Sequence, residues 1–451
     1  MKERIDLLQG NIISTLFKLA LPIMGTSLIQ MAYNMTDMIW IGRIGSTAVT
    51  AIGTAGMYLW VAEGIAIIPK IGGQVRVAHA LGANHLKSAR DLVVTVLKLT
   101  MLLALTYSLI LWIFNRQLIG FFNLNTAEVI ANGENYLKIV AFGIVFTFLN
   151  YVMTGLLTAS GDSKTPFKIN TVGLVFNIIL DPLLIFGIGF FPSLKVEGAA
   201  IATVLAQVVV TGLYVRHIYY DKYLFENINL RTKFRLNEAV YIAKVGFPAA
   251  MQTIAFSCIA MYISRFVATF GDDAIAVQRI GSQIESVSWM TAEGFAMAIN
   301  TFIAQNYGAK NFQRATKGYT EALKLMSAWG FLTTSLLFWG ANVIFYFFLP
   351  DLSLLAMGSS YLKILGLSQL FMCVEIMTSG AFAGFGNTTI PSFVGITLTF
   401  ARIPGVMILT RFLGSIDGVW WAITISSILK GVILLIIFKF FVAKINKKAL
   451  N

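Results

Sequence analysis

The chain has 451 residues, of which 57% are hydrophobic and only 12% charged, with a mean hydropathy of +0.76. A soluble protein of that length cannot hide so much apolar surface, which excludes a soluble enzyme or binding domain. The formal charge of +13 does not point to nucleic acid, because the Lys and Arg residues sit in short segments between apolar runs, where they orient a membrane protein.

Apolar runs of about 20 residues recur along the whole length and predict about twelve transmembrane helices. The first runs from Ser14 to Ile41. It is too long for a signal peptide and no small-residue cleavage site follows it, so it reads as a retained span. Its polar residues Thr26, Gln30, Asn34 and Asp37 share one helix face, and Pro22 near its start can bend it. The second span, about Ala48 to Ala78, carries Glu63, Lys70 and Arg76; Glu63 has a local partner in Lys70. The third covers Ala89–Phe114. The fourth, Ile130–Thr158, aligns Thr147, Asn150, Thr154 and Thr158 on one face.

The fifth span, about Pro166 to Phe190, holds Asn177-Ile178-Ile179-Leu180-Asp181-Pro182. A carboxylate at a helix centre costs about 2.5–3.5 kcal/mol on insertion scales, and an acid held at that cost usually marks an ion or substrate path. Asn177 and Asp181 are four apart and share a face with Gly173 and Asn170. Pro182 leaves a carbonyl one turn earlier without its amide donor. Carboxylate, carboxamide and freed carbonyl are hard oxygen ligands suited to a proton or a small cation. The sixth span, Gly198–Tyr219, opens on Gly198-Ala199-Ala200, small residues that permit close helix contact, and lines Thr203, Gln207 and Thr211 on one face.

After a polar stretch the pattern begins again. Leu21-Pro22 matches Phe247-Pro248, Gly82-Ala83 matches Gly308-Ala309, and Tyr136-Leu137-Lys138-Ile139 recurs as Tyr361-Leu362-Lys363-Ile364. Gly155, Gly161 and Pro166 recur as Gly380, Gly386 and Pro391. The fold class is therefore all-α integral membrane: twelve helices in two six-helix bundles. Six spans per half is an even number, so the repeat is parallel, about an axis along the membrane normal. The division expected from composition is an N-lobe at 1–219, a cytoplasmic linker at 220–236 and a C-lobe at 237–451. Lys164, Lys168, Arg216, Lys222, Arg235, Lys310 and Lys444 fall on one side with most other cations, against Arg43, Arg116, Lys195 and Arg411 on the other. That bias places both termini in the cytoplasm.

No phosphate-binding loop of the G-x-x-x-x-G-K-[ST] type is present, which disfavours ATP hydrolysis within the chain, and no Cys or His cluster offers a metal site. Asp37, Asn177, Asp181 and Thr203 come from three spans and all lie on polar stripes, so one cavity can hold them. Two acids with no cation on their stripes are poorly explained as helix glue. In low dielectric the pair cannot both ionise cheaply, so one keeps a proton or both share a cation. Gln30, Asn34 and Asn150 extend the polar lining. The second half differs. Arg402 stands where Asn177 stands in the first, and no acid answers Asp37 or Asp181. Glu285 is open to two roles, an ion pair with Arg402 or Arg279 and the binding of a cationic substrate.

These residues resemble those of the MATE multidrug and toxin extrusion transporters over essentially the whole chain. The resemblance rests on the duplicated twelve-span plan, on Pro22 and Asp37, and on the Gly-Ala turns. Its most specific part is Asn177-x-x-x-Asp181-Pro182 with Gly198-Ala199-Ala200-x-Ala202-Thr203, which looks like the DinF-like branch. It implies an N-lobe proton or cation site at Asp37, Asn177, Asp181 and Thr203, with Tyr136 beside it. The C half lacks a clear match to the acids of the NorM-like branch; Glu375 is the nearest candidate there. The implied function is secondary active efflux of amphipathic, often cationic, organic compounds in exchange for H+ or Na+. It would be carried out by a monomer in the cell membrane, with no catalytic residue, bound metal, cofactor or nucleic-acid partner. The rivals are a flippase for lipid-linked or polyprenyl-linked substrates, which calls for a deep cationic cavity, and a membrane-embedded enzyme, which calls for an interfacial catalytic cluster.

Overall fold

The computed structural model describes residues 4–122, 126–189, 191–226 and 231–450; the side chains of Asn34, Met38, Ser46, Asp272 and 446–450 lie outside that description. The first half consists of α1 (Ile12–Ile44), α2 (Ser46–Gly82), α3 (Leu86–Ile113), the short α4 (Asn115–Gly120), α5 (Ala127–Ala159), α6 (Lys164–Phe186) and α7 (Lys195–Tyr220). The second comprises α8 (Leu236–Val267), α9 (Asp272–Gly308), α10 (Phe312–Trp339), the short α11 (Ala341–Phe348), α12 (Leu352–Gly366), α13 (Gln369–Gly384), α14 (Thr389–Phe400), α15 (Arg402–Leu413) and α16 (Asp417–Leu450).

The halves repeat element for element. α2 and α9 both have 37 residues, and α3 and α10 both have 28. Where the first half has the continuous α5, the second has α12 and α13, bent by 46°. Ser368 sits at that break, and its hydroxyl donates to the Leu365 carbonyl at 2.8 Å, a local bond that competes with the helical ladder. The counterpart of α6 is α14 followed by α15. Pro404 cannot donate to the Phe400 carbonyl, which is where α14 ends.

Nine helices among the described residues are long and apolar enough to cross a bilayer, and two bent pairs, α10 with α11 and α12 with α13, qualify as pairs. The 37-residue α9 completes the twelve. It carries Asp272, Asp273, Arg279, Glu285 and Glu293, which lower its hydropathy without shortening it. The solvent for the outer faces is lipid. On α3, Leu102, Leu105, Leu109 and Trp112 form one stripe of fully apolar side chains, each at least half exposed.

The chain packs into two compact units whose limits lie inside helices. One unit is Leu21–Ala250 with the N-terminal residues up to Ile5; the other is Met251 onward together with Asp6–Ala20. The limits of these compact units fall beside Pro22 in α1 and Pro248 in α8. In the second unit, the Arg314 guanidinium donates to the carbonyls of Leu7, Gln9 and Gly10 at 3.2, 2.6 and 3.0 Å, and Phe17 meets Phe295 edge-on at 5.5 Å. In the first unit, Arg76 makes two bonds to Glu238, at 2.7 and 2.8 Å. The described part of the polar stretch is tied to the first unit through Arg4–Asp221 (2.6 Å), Lys98 to the Thr232 carbonyl (2.7 Å) and Arg235–Asp91 (2.6 Å). Each unit has its own apolar core, around Phe148, Ile144 and Ala200 in the first and around Trp420, Phe345 and Leu362 in the second.

Candidate functional site

In the first unit, close contact between α6 and α7 fixes the frame of the site. Gly198 packs on the end of α6 so tightly that a Cβ there would come within 2.5 Å of the Leu184 carbonyl oxygen. About three turns further along, a Cβ on Gly173 would collide with Val210. Ala199, Ala200, Ala202 and Ala206 continue the small-residue seam of α7 and are all buried. This seam turns the Asn177–Asp181 face of α6 inward, where both residues are almost fully buried, at 0% and 1% exposed.

Asn177 Nδ2 donates to Asp181 Oδ1 at 3.2 Å, as the four-residue spacing requires. Asp37, from α1, brings its carboxyl group within hydrogen-bonding range of that of Asp181. Tyr136 of α5 is buried close to both carboxyl groups. Tyr33, one turn before Asp37 on α1, directs its hydroxyl towards Thr203 of α7 without completing a bond of ordinary geometry. Asp37 Oδ1, Asp181 Oδ2, Asn177 Oδ1 and the Tyr33 hydroxyl are all buried and have no hydrogen-bond partner among the described residues. Four orphaned oxygens at one site are an unusual cost, since leaving a buried polar group unsatisfied costs about 1–3 kcal/mol each. Hard oxygens from two carboxyls, an amide and a phenol suit a proton, a water or a small cation.

The structure brings Asp37, Asn177, Asp181, Thr203 and Tyr136 into one neighbourhood of the first unit. Sequence spacing misses Tyr33, whose signal was available in its i−4 position to Asp37. The remaining lining candidates separate. Gln30 is exposed on α1, and the side chain of Asn34 lies outside the described residues. Asn150, grouped with the cavity by its stripe, is instead fully engaged between α5 and α7. Its Nδ2 donates to the Gln207 side chain and backbone carbonyl at 2.8 and 3.0 Å, and its Oδ1 accepts from the Thr211 hydroxyl at 2.8 Å. Glu63 lies by the Tyr151 hydroxyl with Lys70 nearby, the Lys70 ammonium standing 4.7 Å over the Tyr151 ring.

The second unit holds a different set. Glu285, on α9, accepts from Gln369 Nε2 at 3.2 Å and has the Tyr361 hydroxyl within bonding reach, while its Oε1 is buried without a partner. Of the two roles open to Glu285, the ion pair with Arg279 or Arg402 is not formed among the described residues. Arg402, at the start of α15, is buried and donates to the hydroxyls of Ser426 and Ser427 at 3.1 and 3.0 Å. Glu375, on α13, is paired with Lys430 of α16 at 3.0 Å, both side chains only 7% exposed. Lys430 was missed in the sequence, although a lysine in the middle of a strongly apolar span of the C half is a signal of a buried partner. Tyr136 and Tyr361, matched by the internal repeat, each stand by an intramembrane carboxyl of their own unit.

Comparison with known proteins agrees with this plan. The MatE family model matches residues 22–183 and 248–408, the two stretches beginning at the prolines that the internal repeat aligns. The chain is 27% identical over 429 residues to a probable multidrug resistance protein NorM of Thermotoga maritima, covering 94% of this chain and 91% of that one. It is 24% identical to a FAD transporter of Shewanella oneidensis, covering 96% and 95%. Among solved structures, a MATE in the bent conformation superposes with a TM-score of 0.91 at 22% identity, over 99% of this chain and 98% of that one. A MOP superfamily transporter from Pyrococcus furiosus, described as having a binding pocket of reverse polarity, superposes with a TM-score of 0.89 at 21% identity, over 98% of each chain. With both halves matched and the whole length covered, the chain belongs to the MatE family of multi-pass membrane transporters and is not an enzyme.

Proposed function

We propose that this protein is a secondary active efflux antiporter of the DinF-like branch. It exports amphipathic, often cationic, organic compounds in exchange for H+ or Na+. The observation that carries this reading is the facing pair Asp37 and Asp181, which together with Asn177 and Tyr33 holds four buried oxygens unsatisfied among the described residues. A proton between the carboxyls, or a cation among the oxygens, satisfies them; its departure leaves two like charges in contact. The site is then a two-state element that an ion gradient can bias, and substrate need only bias the same element in the opposite sense. Relatives that bear multidrug names support the substrate class.

The test is dye efflux from proteoliposomes with H+ and Na+ gradients imposed separately. Efflux is expected with one of the two ion gradients and not with the other. Efflux in the absence of any ion gradient or membrane potential overturns antiport.

A second reading, an organic anion as substrate, is favoured by Arg402, which is buried on two neutral hydroxyls with no acid in ion-pair contact among the described residues. The FAD-transporting relative fits such a cargo. Offering FAD and a cationic dye in the same vesicles separates the two.

We place the protein in the plasma membrane with both termini cytoplasmic, on the Lys and Arg bias. Cys258 is exposed and must first be replaced. In a Cys258→Ser background, an impermeant thiol reagent applied to intact cells is expected to label Lys195→Cys and miss Lys222→Cys, both positions being exposed. The opposite pattern inverts the topology.

A further inference from the structure

The first unit carries a basic groove that the paired carboxyls do not use. It lies where the start of α6 meets the end of α7 and has a volume of about 590 Å³. Lys164 and Lys168 enter it from α6, and Arg216, His217 and Tyr220 enter it from α7. Lys164 and Lys168 are four apart, as are Arg216 and Tyr220, so each helix turns one face to the groove.

These cations are treated differently from their neighbours. In the same unit Arg4, Arg76, Arg90 and Arg235 each reach an acid, at Asp221, Glu238, Glu226 and Asp91. Among the described residues, Lys164, Lys168 and Arg216 form no ion pair. The one carboxylate at the groove, Asp162, is already engaged in capping α6: it accepts from the Thr165 amide at 2.9 Å and from the Thr165 hydroxyl at 2.6 Å. Three uncompensated cations around a concave space call for an anion.

The faces that hold these cations continue as apolar surface. Along α6, Lys164 and Lys168 are followed on the same face by Val172, Val175 and Ile179, exposed by 48, 50 and 55%. Along α7, Arg216 leads back to Val208 and Leu205, also exposed. Tyr219 and Tyr220, packed edge-on at 5.2 Å and largely exposed, mark the level at which aromatic residues meet headgroups. A basic mouth running into an exposed apolar stripe is complementary to an amphiphile with an anionic head.

We propose that this groove binds an anionic phospholipid. Its phosphodiester sits among Lys164, Lys168 and Arg216, and an acyl chain lies along Val172, Val175 and Ile179. A free inorganic phosphate shares the headgroup chemistry but leaves the apolar stripe uncovered. Basic pockets between transmembrane helices are suited to such headgroups, each cation near the surface strengthening the attraction.

The test uses the full chain, purified in a neutral detergent and titrated with phosphatidylglycerol, phosphatidylcholine or inorganic phosphate. Bound lipid is counted by native mass spectrometry, and the thermal midpoint is followed in parallel. Phosphatidylglycerol is expected to be retained and to raise the midpoint, and phosphatidylcholine is not. The variant Lys164→Gln, Lys168→Gln, Arg216→Gln is expected to bind phosphatidylglycerol about tenfold or more weakly. A control with the same charge loss at exposed sites of the other unit, Lys317→Gln, Lys439→Gln, Lys444→Gln, is expected to bind as the native chain does. Should the triple variant fail to fold, Lys168→Gln and Arg216→Gln singly are expected to weaken binding while Lys168→Arg retains it. Equal retention by native chain and groove variants overturns the site. A midpoint shift reproduced in full by inorganic phosphate overturns the lipid as occupant.

Discussion

Asp37→Asn is expected to insert, fold and bind substrate, and to lose gradient-driven efflux down to background. The amide keeps the size and polarity of a protonated carboxyl, so the contact with Asp181 persists as a hydrogen bond donated by a neutral group. What is lost is the choice between two states. The like-charge repulsion that opens the pair on release of the ion can no longer arise, and the lobe stays in its ion-bound form. A charge moving down about 100 mV supplies about 2.3 kcal/mol, enough to concentrate a neutral substrate about fiftyfold, and without coupling that ratio falls to one. Asp181→Asn should give the same phenotype, because the carboxyls act as a unit. The double variant should be no worse than either single one, a coupling term as large as the individual effects. Substrate affinity, measured at several pH values or Na+ concentrations, should flatten in all three. Full efflux by the double variant would remove the coupling role from this site and transfer it to the carboxyls of the second unit.

The residues of that site were legible because its chemistry follows helix periodicity. Asp37, Asn177, Asp181 and Thr203 lie on polar stripes of three apolar helices, and a stripe of that kind has few places to face. Tyr33 escaped because a phenol reads as apolar in a count of polar residues, although it shares the face of Asp37. Asn150 misled for the opposite reason. A polar stripe records only that a polar partner exists, and here the partner is Gln207 and Thr211 on a neighbouring helix. Helix ends were also close to their sequence expectation, because Gly, Pro and charged residues interrupt the apolar runs. The limits of the compact units have no such marker in the sequence. Whether the residues before Pro22 pack with Arg314 and Phe295 is decided by contacts across some three hundred positions, and composition carries no record of them. The second half was harder for the same reason. Arg402 and Glu285 are each the obvious partner of the other in a list of intramembrane charges. Yet the fold gives Arg402 two serine hydroxyls, gives Glu285 a glutamine, and pairs the lone Lys430 with Glu375.

That last pair carries the second large effect. Glu375→Gln is expected to lower the yield of folded protein severely and to destabilise the chain by about 3–5 kcal/mol, the cost of stranding one partner of a buried ion pair. Glu375 and Lys430 join α13 to α16 at 3.0 Å with only 7% of either side chain exposed, so Lys430 has no water to turn to when the carboxylate is removed. Lys430→Met should leave the carboxylate stranded and be comparably damaging. The combination Glu375→Gln, Lys430→Met should restore most of the yield, because replacing both charges removes the desolvation cost along with the attraction. Glu285→Gln provides the contrast. Its partners Gln369 and Tyr361 are neutral, and a glutamine oxygen can accept the bonds that the carboxylate accepts, so folded yield should hold. Loss of yield in Glu285→Gln as deep as in Glu375→Gln would make Arg402 its counter-charge after all. Normal folding of Glu375→Gln would show that Lys430 reaches solvent or another acid, leaving Glu375 free to take part in ion binding.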